Sequence, residues 1–330
     1  MSVPPTMRAL RQTSHHGPDD LHLVTEAPVP RPGPGEVLIR VAAAGVNVVD
    51  LQQARGTFAH GPQPPYVAGI EGAGEVVAAG DGVVEPPLGA HVVGVGIGGG
   101  AFAEYMVLPA AGALPVPAGW TDAQALGLVV NWPTAVAALE TLGHVRAGQT
   151  VLVHAAAGAT GQAAVTLAEH HGATVIAAAA RAKHDVVRAL GADHVVDSHA
   201  ADLADQVLRL AGDGVDLVLE SVGGTLEASL AATRRVTGRV VVVGVVGGDA
   251  SISAWELVYR HQVQVVGLNL GVLAQAAPPL FGEVVGRVLG LVRAGVVRPG
   301  APGVHALADG RKALTELEAR ATVGKLALVP

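Results

Sequence analysis

The sequence predicts an α/β chain, with a doubly wound parallel domain of six strands joined to a second, mostly β domain. Three observations predict this. The chain has 330 residues, more than one ordinary core accommodates, so two domains are the prior. Its prolines are unevenly spread: sixteen of the 21 lie at or before Pro133, and none lies between Pro133 and Pro278. Inside that proline-free block short apolar runs alternate with helical patterns, the pattern of a parallel sheet covered on both faces.

The elements follow in order. Short strands at 36–41, 75–77, 91–95 and 103–108 are separated by Gly and Pro clusters, which suits an irregular β domain over residues 1–123. The block from 124 to 268 then reads strand 150–153, helix 161–171, strand 174–178, helix 183–190, strand 193–196 and helix 201–210. It continues with strand 215–220, helix 225–232, strand 240–245, a short helix at 253–259 and a last strand at 263–268. Six strands complete a doubly wound dinucleotide fold. Residues 269–330 hold two helical patterns, 282–293 and 310–320, and a terminal strand, 325–329. This tail is expected to return to the first domain.

Composition removes several classes of function. Half the residues are apolar and 15% are charged, so a packed globular protein is expected. A net charge of −7 gives no basic footprint for nucleic acid. The absence of cysteine excludes disulfides, thiolate zinc sites and a cysteine nucleophile. The segment MSVPPTMRALRQ has no apolar core of a secretory leader, and no run long enough to span a membrane is present, so a cytoplasmic protein is expected. The fourteen histidines include His15-His16 and His170-His171 but form no H-E-x-x-H, and no metal site is expected. Ser221 lacks a G-x-S-x-G elbow, which argues against a serine hydrolase.

The strongest chemical motif is VLVHAAAGATGQAAV at 151–165. Small residues at Ala155, Gly158 and Gly161, with Ala159 and Thr160 between, let a pyrophosphate approach the N–H groups at a helix N-terminus. Its position between a strand and a helix distinguishes it from a chance glycine cluster. A site for NAD usually carries an acid about 20 residues on, at the ribose 2′-hydroxyl. Here the second strand ends in alanines and is followed by Arg181 and Lys183, which suits the 2′-phosphate of NADPH.

The run VAGIEGAGEVVAAG at 67–80 is dense in glycine for a strand-like segment. Gly69, Glu71, Gly74, Gly80 and Val83 match the motif G-H-E-x2-G-x5-G-x2-V of zinc alcohol dehydrogenases, with Ile70 where the zinc-ligating His stands. Together with AGVNVVD (44–50), GGGAFAEYMVLP (98–109), ALGLVVNWPTAVAAL (125–139), LGADHVVD (190–197), DLVLESVGG (216–224), GRVVVVG (238–244) and LEARATVGKLALVP (317–330), this run makes the chain resemble the medium-chain dehydrogenase/reductase superfamily. The resemblance is to its zinc-free quinone oxidoreductase (zeta-crystallin-like) branch, and it covers nearly the whole chain. It implies a Rossmann domain and a GroES-like catalytic domain.

The resemblance also implies residue roles. Asn47 and Thr134 would stand at the nicotinamide as catalytic residues, and Lys183 at the 2′-phosphate. Ser221, Gly244, Val245, Asn269 and Arg320 would line the cofactor. Ser198 stands where many relatives carry a Tyr. Tyr66, Ile70, Asn47 and Asn131 would border the substrate. Asn47 equally suits a helix N-cap before Val48. The implied reaction is zinc-independent hydride transfer from NADPH to quinones or α,β-unsaturated carbonyls in a largely apolar interdomain cleft, with Asn47 donating to the developing oxygen. A dedicated enoyl or ketone reductase of a biosynthetic pathway, or a low-activity NADPH-binding protein of structural or regulatory role, are the alternatives. A small-molecule substrate and a homodimer paired through 263–268 are expected, without nucleic-acid or membrane partners.

Overall fold

The computed structural model describes residues 3–96 and 98–330. It divides the chain into two compact units, one of Met1–Val130 with Pro299–Pro330, the other of Asn131–Arg298.

The first unit is mostly β. A three-stranded sheet runs in the order Leu21–Pro28, Thr6–Gln12, Tyr66–Val67. A seven-stranded sheet is built around the long strand Glu36–Val46, which pairs with Glu71–Ala79, Tyr105–Pro109 and Leu326–Val329. Strand Gly303–Ala306 lies beyond Leu326–Val329. The core holds Leu10, Val37, Ile39, Phe102, Met106, Leu108, Leu314 and Leu328. The glycine-dense run is strand from Glu71 to Ala79, longer than the expected 75–77. Gly74 shows why its glycines are needed. A Cβ there would stand 1.9 Å from the Arg40 carbonyl oxygen, across a register shift in the neighbouring strand between Val41 and Ala43.

The second unit carries one parallel sheet of six strands. Their order is His194–Asp197, Thr174–Ala179, Thr150–Val153, Leu217–Glu220, Arg239–Val242, Gln264–Gly267. The strand order reverses beside Thr150–Val153, so that strand is the switch point where doubly wound folds bind ligands. Leu217–Glu220 is buried along its whole length, as a strand covered on both faces must be. Gln264–Gly267 closes the sheet as an exposed edge, with Trp255, Val258 and Tyr259 also exposed. Among the described residues no helix is long and apolar enough to cross a membrane.

Two boundaries differ from the sequence reading. The first division falls at 130/131 and not at 123/124, and the return to the first unit begins at Pro299 and not at 269. Helices Leu270–Ala276 and Pro278–Arg293 therefore belong to the second unit. Arg287 on the latter holds Glu140 of the same unit with two guanidinium nitrogens, at 2.9 and 3.0 Å. Periodicity reveals the second of these, over 282–293, and misses Leu270–Ala276; in neither case does it reveal the body on which the helix packs.

Candidate active site

In the second unit, strand Thr150–Val153 leads through His154 into helix Ala159–His170, with Gly158 as the N-cap. Ala155 holds a left-handed φ of 46° at the start of the turn. The first N–H groups of a helix have no partner within it, and the macrodipole makes that end positive. Gly161 keeps helix and turn together: a Cβ there would lie 2.3 Å from the Ala155 carbonyl oxygen and 2.7 Å from the Ala156 Cα. Thr160 on the first turn is joined to Asn131, whose Nδ2 donates to Thr160 Oγ1 at 2.9 Å. Thr134 is half-buried on the same short helix as Asn131, Asn131–Val136.

A buried polar relay ties this turn to the loop after Leu217–Glu220. Ser229 Oγ donates to Glu220 at 2.6 Å, so it accepts from His154 Nε2 at 2.9 Å. Burial, outweighing the pull of Glu220, holds His154 below its ordinary pKa, so the ring is neutral and protonated on Nε2. Glu220 also accepts the N–H groups of Val222 and Gly223, at 2.7 and 3.0 Å, and the Thr225 hydroxyl. These bonds fix the backbone of the Ser221-Val-Gly-Gly loop. Ser221 Oγ itself only approaches the His154 carbonyl, at 3.4 Å.

At the end of strand Thr174–Ala179 no carboxylate appears, but the two cations behave differently. Arg181 is 84% exposed along its side chain and pairs with Asp197 at 2.8 Å. Asp197 is the last residue of LGADHVVD and forms a surface ion pair with Arg181. Lys183 is half-buried, and burial holds its pKa below the usual lysine value. Ser198 uses its N–H on the Ala179 carbonyl, at 3.0 Å. Gly244 and Val245 follow strand Arg239–Val242, with Val245 exposed. Asn269 is exposed and accepts the Val272 N–H at 3.1 Å as N-cap of Leu270–Ala276. Arg320, in the first unit, has a left-handed φ of 54° after helix Gly310–Glu318.

The first unit holds a second polar cluster. Glu71 is fully buried. It receives Lys325 Nζ at 2.5 Å, Asn47 Nδ2 at 3.0 Å and the Gly127 N–H at 2.5 Å. Lys325 Nζ also donates to Asn47 Oδ1 at 2.6 Å, which fixes the orientation of that amide. The other Asn47 N–H goes to the Gly45 carbonyl at 3.2 Å. Both amide hydrogens are therefore spent within the protein. The expected donation from Asn47 to an acceptor's oxygen has no hydrogen left to use. Asn47 instead caps helix Val48–Ala54, and its own N–H donates to Asp50 at 2.7 Å. Gly45 leaves room for the pair, since a Cβ there would stand 2.3 Å from the Glu71 carboxylate and 2.8 Å from Lys325 Cε.

Asp50 accepts the Ile70 N–H as well, at 3.1 Å, which binds the half-buried Ile70 to the cluster. Burial pushes Asp50 up to about 7 against the pull of those bonds and of Lys325. The Tyr66 hydroxyl is shielded from solvent and has no partner. Burial, with the Asp50 charge, pushes Tyr66 up to about 12, so it stays protonated and able to donate.

This cluster does not fit a zinc ion. The chain has no cysteine, Ile70 offers no ligand, and Glu71 is already engaged by Lys325. Among the described residues no group of three or more His, Asp and Glu side chains could hold a metal. Lys325, in VGKLALVP, is a residue of this cluster that the motif spacing does not single out. A lysine just before a buried strand was its signal, because such a cation needs an acid nearby.

Comparison with known proteins identifies the family. Residues 33–118 match the family model for the alcohol dehydrogenase GroES-like domain, and residues 159–284 that for zinc-binding dehydrogenases. The synaptic vesicle membrane protein VAT-1 homolog of Rattus norvegicus is 32% identical, over 99% of this chain and 85% of its own length. The quinone oxidoreductase of Pseudomonas syringae superposes with a TM-score of 0.91 at 30% identity, covering 98% of this chain and 100% of the other. The mycobacterial protein Rv1454c, solved with NADPH, superposes with a TM-score of 0.90 at 31% identity over the same shares. With a GroES-like unit, a six-stranded Rossmann unit and these relatives, the chain belongs to the medium-chain dehydrogenase/reductase superfamily, as an oxidoreductase of the quinone oxidoreductase type.

Proposed function

We propose that this protein is an NADPH-dependent, zinc-independent reductase that delivers hydride to quinones or α,β-unsaturated carbonyls. The observation that carries the reading is the Glu71–Lys325 pair. A family motif built around a metal here closes on an internal ammonium, with no ligand set for zinc among the described residues. An acceptor for such an enzyme has to be electrophilic by its own conjugation, as quinones and enones are.

NADPH, when bound, supplies the hydride. Gly158 and the first turn of Ala159–His170 would receive its pyrophosphate, and Lys183 its 2′-phosphate. The quinone oxidoreductase of Pseudomonas syringae and the NADPH-bound mycobacterial protein support this reading. The donor role expected of Asn47 passes to Tyr66, whose hydroxyl is protonated and uncommitted. An unpaired buried hydroxyl is unfavourable by about 1–3 kcal/mol, a penalty relieved when an acceptor oxygen takes its hydrogen.

Two measurements test the proposal. Lys183→Ala is expected to raise the Kd for NADPH about 10- to 100-fold and to leave NADH unchanged, because it removes one charge-assisted contact. Equal losses with both cofactors would contradict the 2′-phosphate role. Tyr66→Phe is expected to lower kcat with quinone and enone acceptors while the KM for NADPH holds. Wild-type kcat in that variant would remove Tyr66 from the reaction.

A further inference from the structure

Asn131 is 9% exposed, and its carbonyl oxygen is shielded from solvent with no hydrogen-bond partner. Its other amide atom is anchored, with Nδ2 donating to Thr160 Oγ1 on the first turn of Ala159–His170. A buried acceptor held beside a helix N-terminus and left unpaired is rare in folded proteins. It is explained when a ligand brings the missing hydrogen.

The fold says which part of the ligand that is. Lys183 follows strand Thr174–Ala179, on one side of Thr150–Val153. The helix that begins with Asn131 continues into the wide helical turn Ala137–Leu142, which packs on Leu217–Glu220 and Arg239–Val242, on the other side. Arg239 Nη1 fastens it there through the Gly143 carbonyl, at 2.8 Å. Asn131 therefore stands across the pyrophosphate turn from the 2′-phosphate cation. Thr160 lies one residue into the helix, next to the N–H groups that would receive a phosphate, and the group that follows a phosphate in a dinucleotide is a ribose.

On this geometry, and resting on the NADPH reading above, we infer that Asn131 Oδ1 accepts a hydrogen bond from a ribose hydroxyl on the nicotinamide half of the cofactor. Asn131 is then a cofactor-positioning residue and not part of the substrate pocket to which the sequence assigned it. Thr160 sets its amide, so the pair orients the half of the cofactor that carries the hydride.

Three probes test this by titration without turnover. They are NADPH, 2′,5′-ADP, which lacks the nicotinamide half, and the 3-acetylpyridine analogue of NADPH, which keeps the ribose but loses the carboxamide N–H. Asn131→Ala is expected to raise the Kd about tenfold for NADPH and for the acetylpyridine analogue, and to leave 2′,5′-ADP unchanged. Thr160→Val frees the amide and is expected to give a smaller loss, about threefold, in the same pattern; it carries the test if Ala at 131 does not fold. No loss with NADPH, or an equal loss with 2′,5′-ADP, overturns the inference. An effect that disappears with the acetylpyridine analogue overturns the ribose assignment, because the donor is then the carboxamide. Wild-type protein that binds neither NADPH nor 2′,5′-ADP would instead sink the cofactor reading itself.

Discussion

Replacing Lys325 with Met is expected to destabilise the first unit by about 3–5 kcal/mol, the usual result of removing one partner from a buried ion pair. Glu71 is fully buried, and its other contacts are an amide hydrogen from Asn47 and a backbone N–H from Gly127. Neither brings a whole charge. The Lys325 side chain is 10% exposed, so water cannot substitute for the ammonium. Losing it also frees the carbonyl of Asn47 and removes a charge that restrains the burial-driven rise of Asp50. Calorimetry should show the transition of the first unit moving to lower temperature while that of the second stays in place. The double variant Glu71→Gln with Lys325→Met separates charge from packing. With both charges gone the Asn47 amide can turn over to meet the new glutamine amide, and most of the lost stability should return. An unmoved transition in the single variant, or a double variant as unstable as the single, would refute the account.

Alanine at Gly161 is expected to destabilise the second unit by about 3 kcal/mol, the upper end of overpacking effects. The new methyl would meet the Ala155 carbonyl oxygen at 2.3 Å, and both nearest neighbours are backbone, which cannot swing aside. Gly158 provides the contrast. Its φ of −80° suits any residue, and a Cβ there would stand 3.3 Å from the same oxygen. Gly158→Ala should therefore fold and lose NADPH, while Gly161→Ala should melt early by circular dichroism. If both melted like wild type, the tight seat of helix on turn would be wrong.

The contrast between these two positions reflects what a sequence can disclose. The turn at 151–165 is local: strand, small residues and helix follow one another within fifteen positions, so spacing reveals it. The six strands were legible for the same reason, through a long block free of proline. The polar cluster was not legible, because Asn47 and Lys325 lie 278 positions apart. Asn47 read alone is ambiguous between cap and catalyst, and only Lys325 shows that its amide is fully used. Strands Thr6–Gln12 and Leu21–Pro28 are hard to read because their alternation is broken, by buried Ala9 and Leu10 in succession and the buried polar Gln12 in the first, and by the exposed apolar Leu23 in the second. Glu71–Ala79 looked short because glycine is a poor strand former, and close approach to Arg40 overrides that preference. Arg181 and Lys183 both read as cations suited to a 2′-phosphate, and the partner of the first, Asp197, lies 16 positions away.

The pairing of Leu326–Val329 with Glu36–Val46 has a consequence for how the chain comes into being. On the ribosome, residues 131–298 emerge as one uninterrupted stretch that holds a whole unit. The unit around them cannot close its sheet until the residues beyond 298 have been made. Throughout that interval Glu71 has no cation to meet it, so the strands around it gain little by burying it. Synthesis thus favours assembly from the middle outward, with the charge pair as its last step.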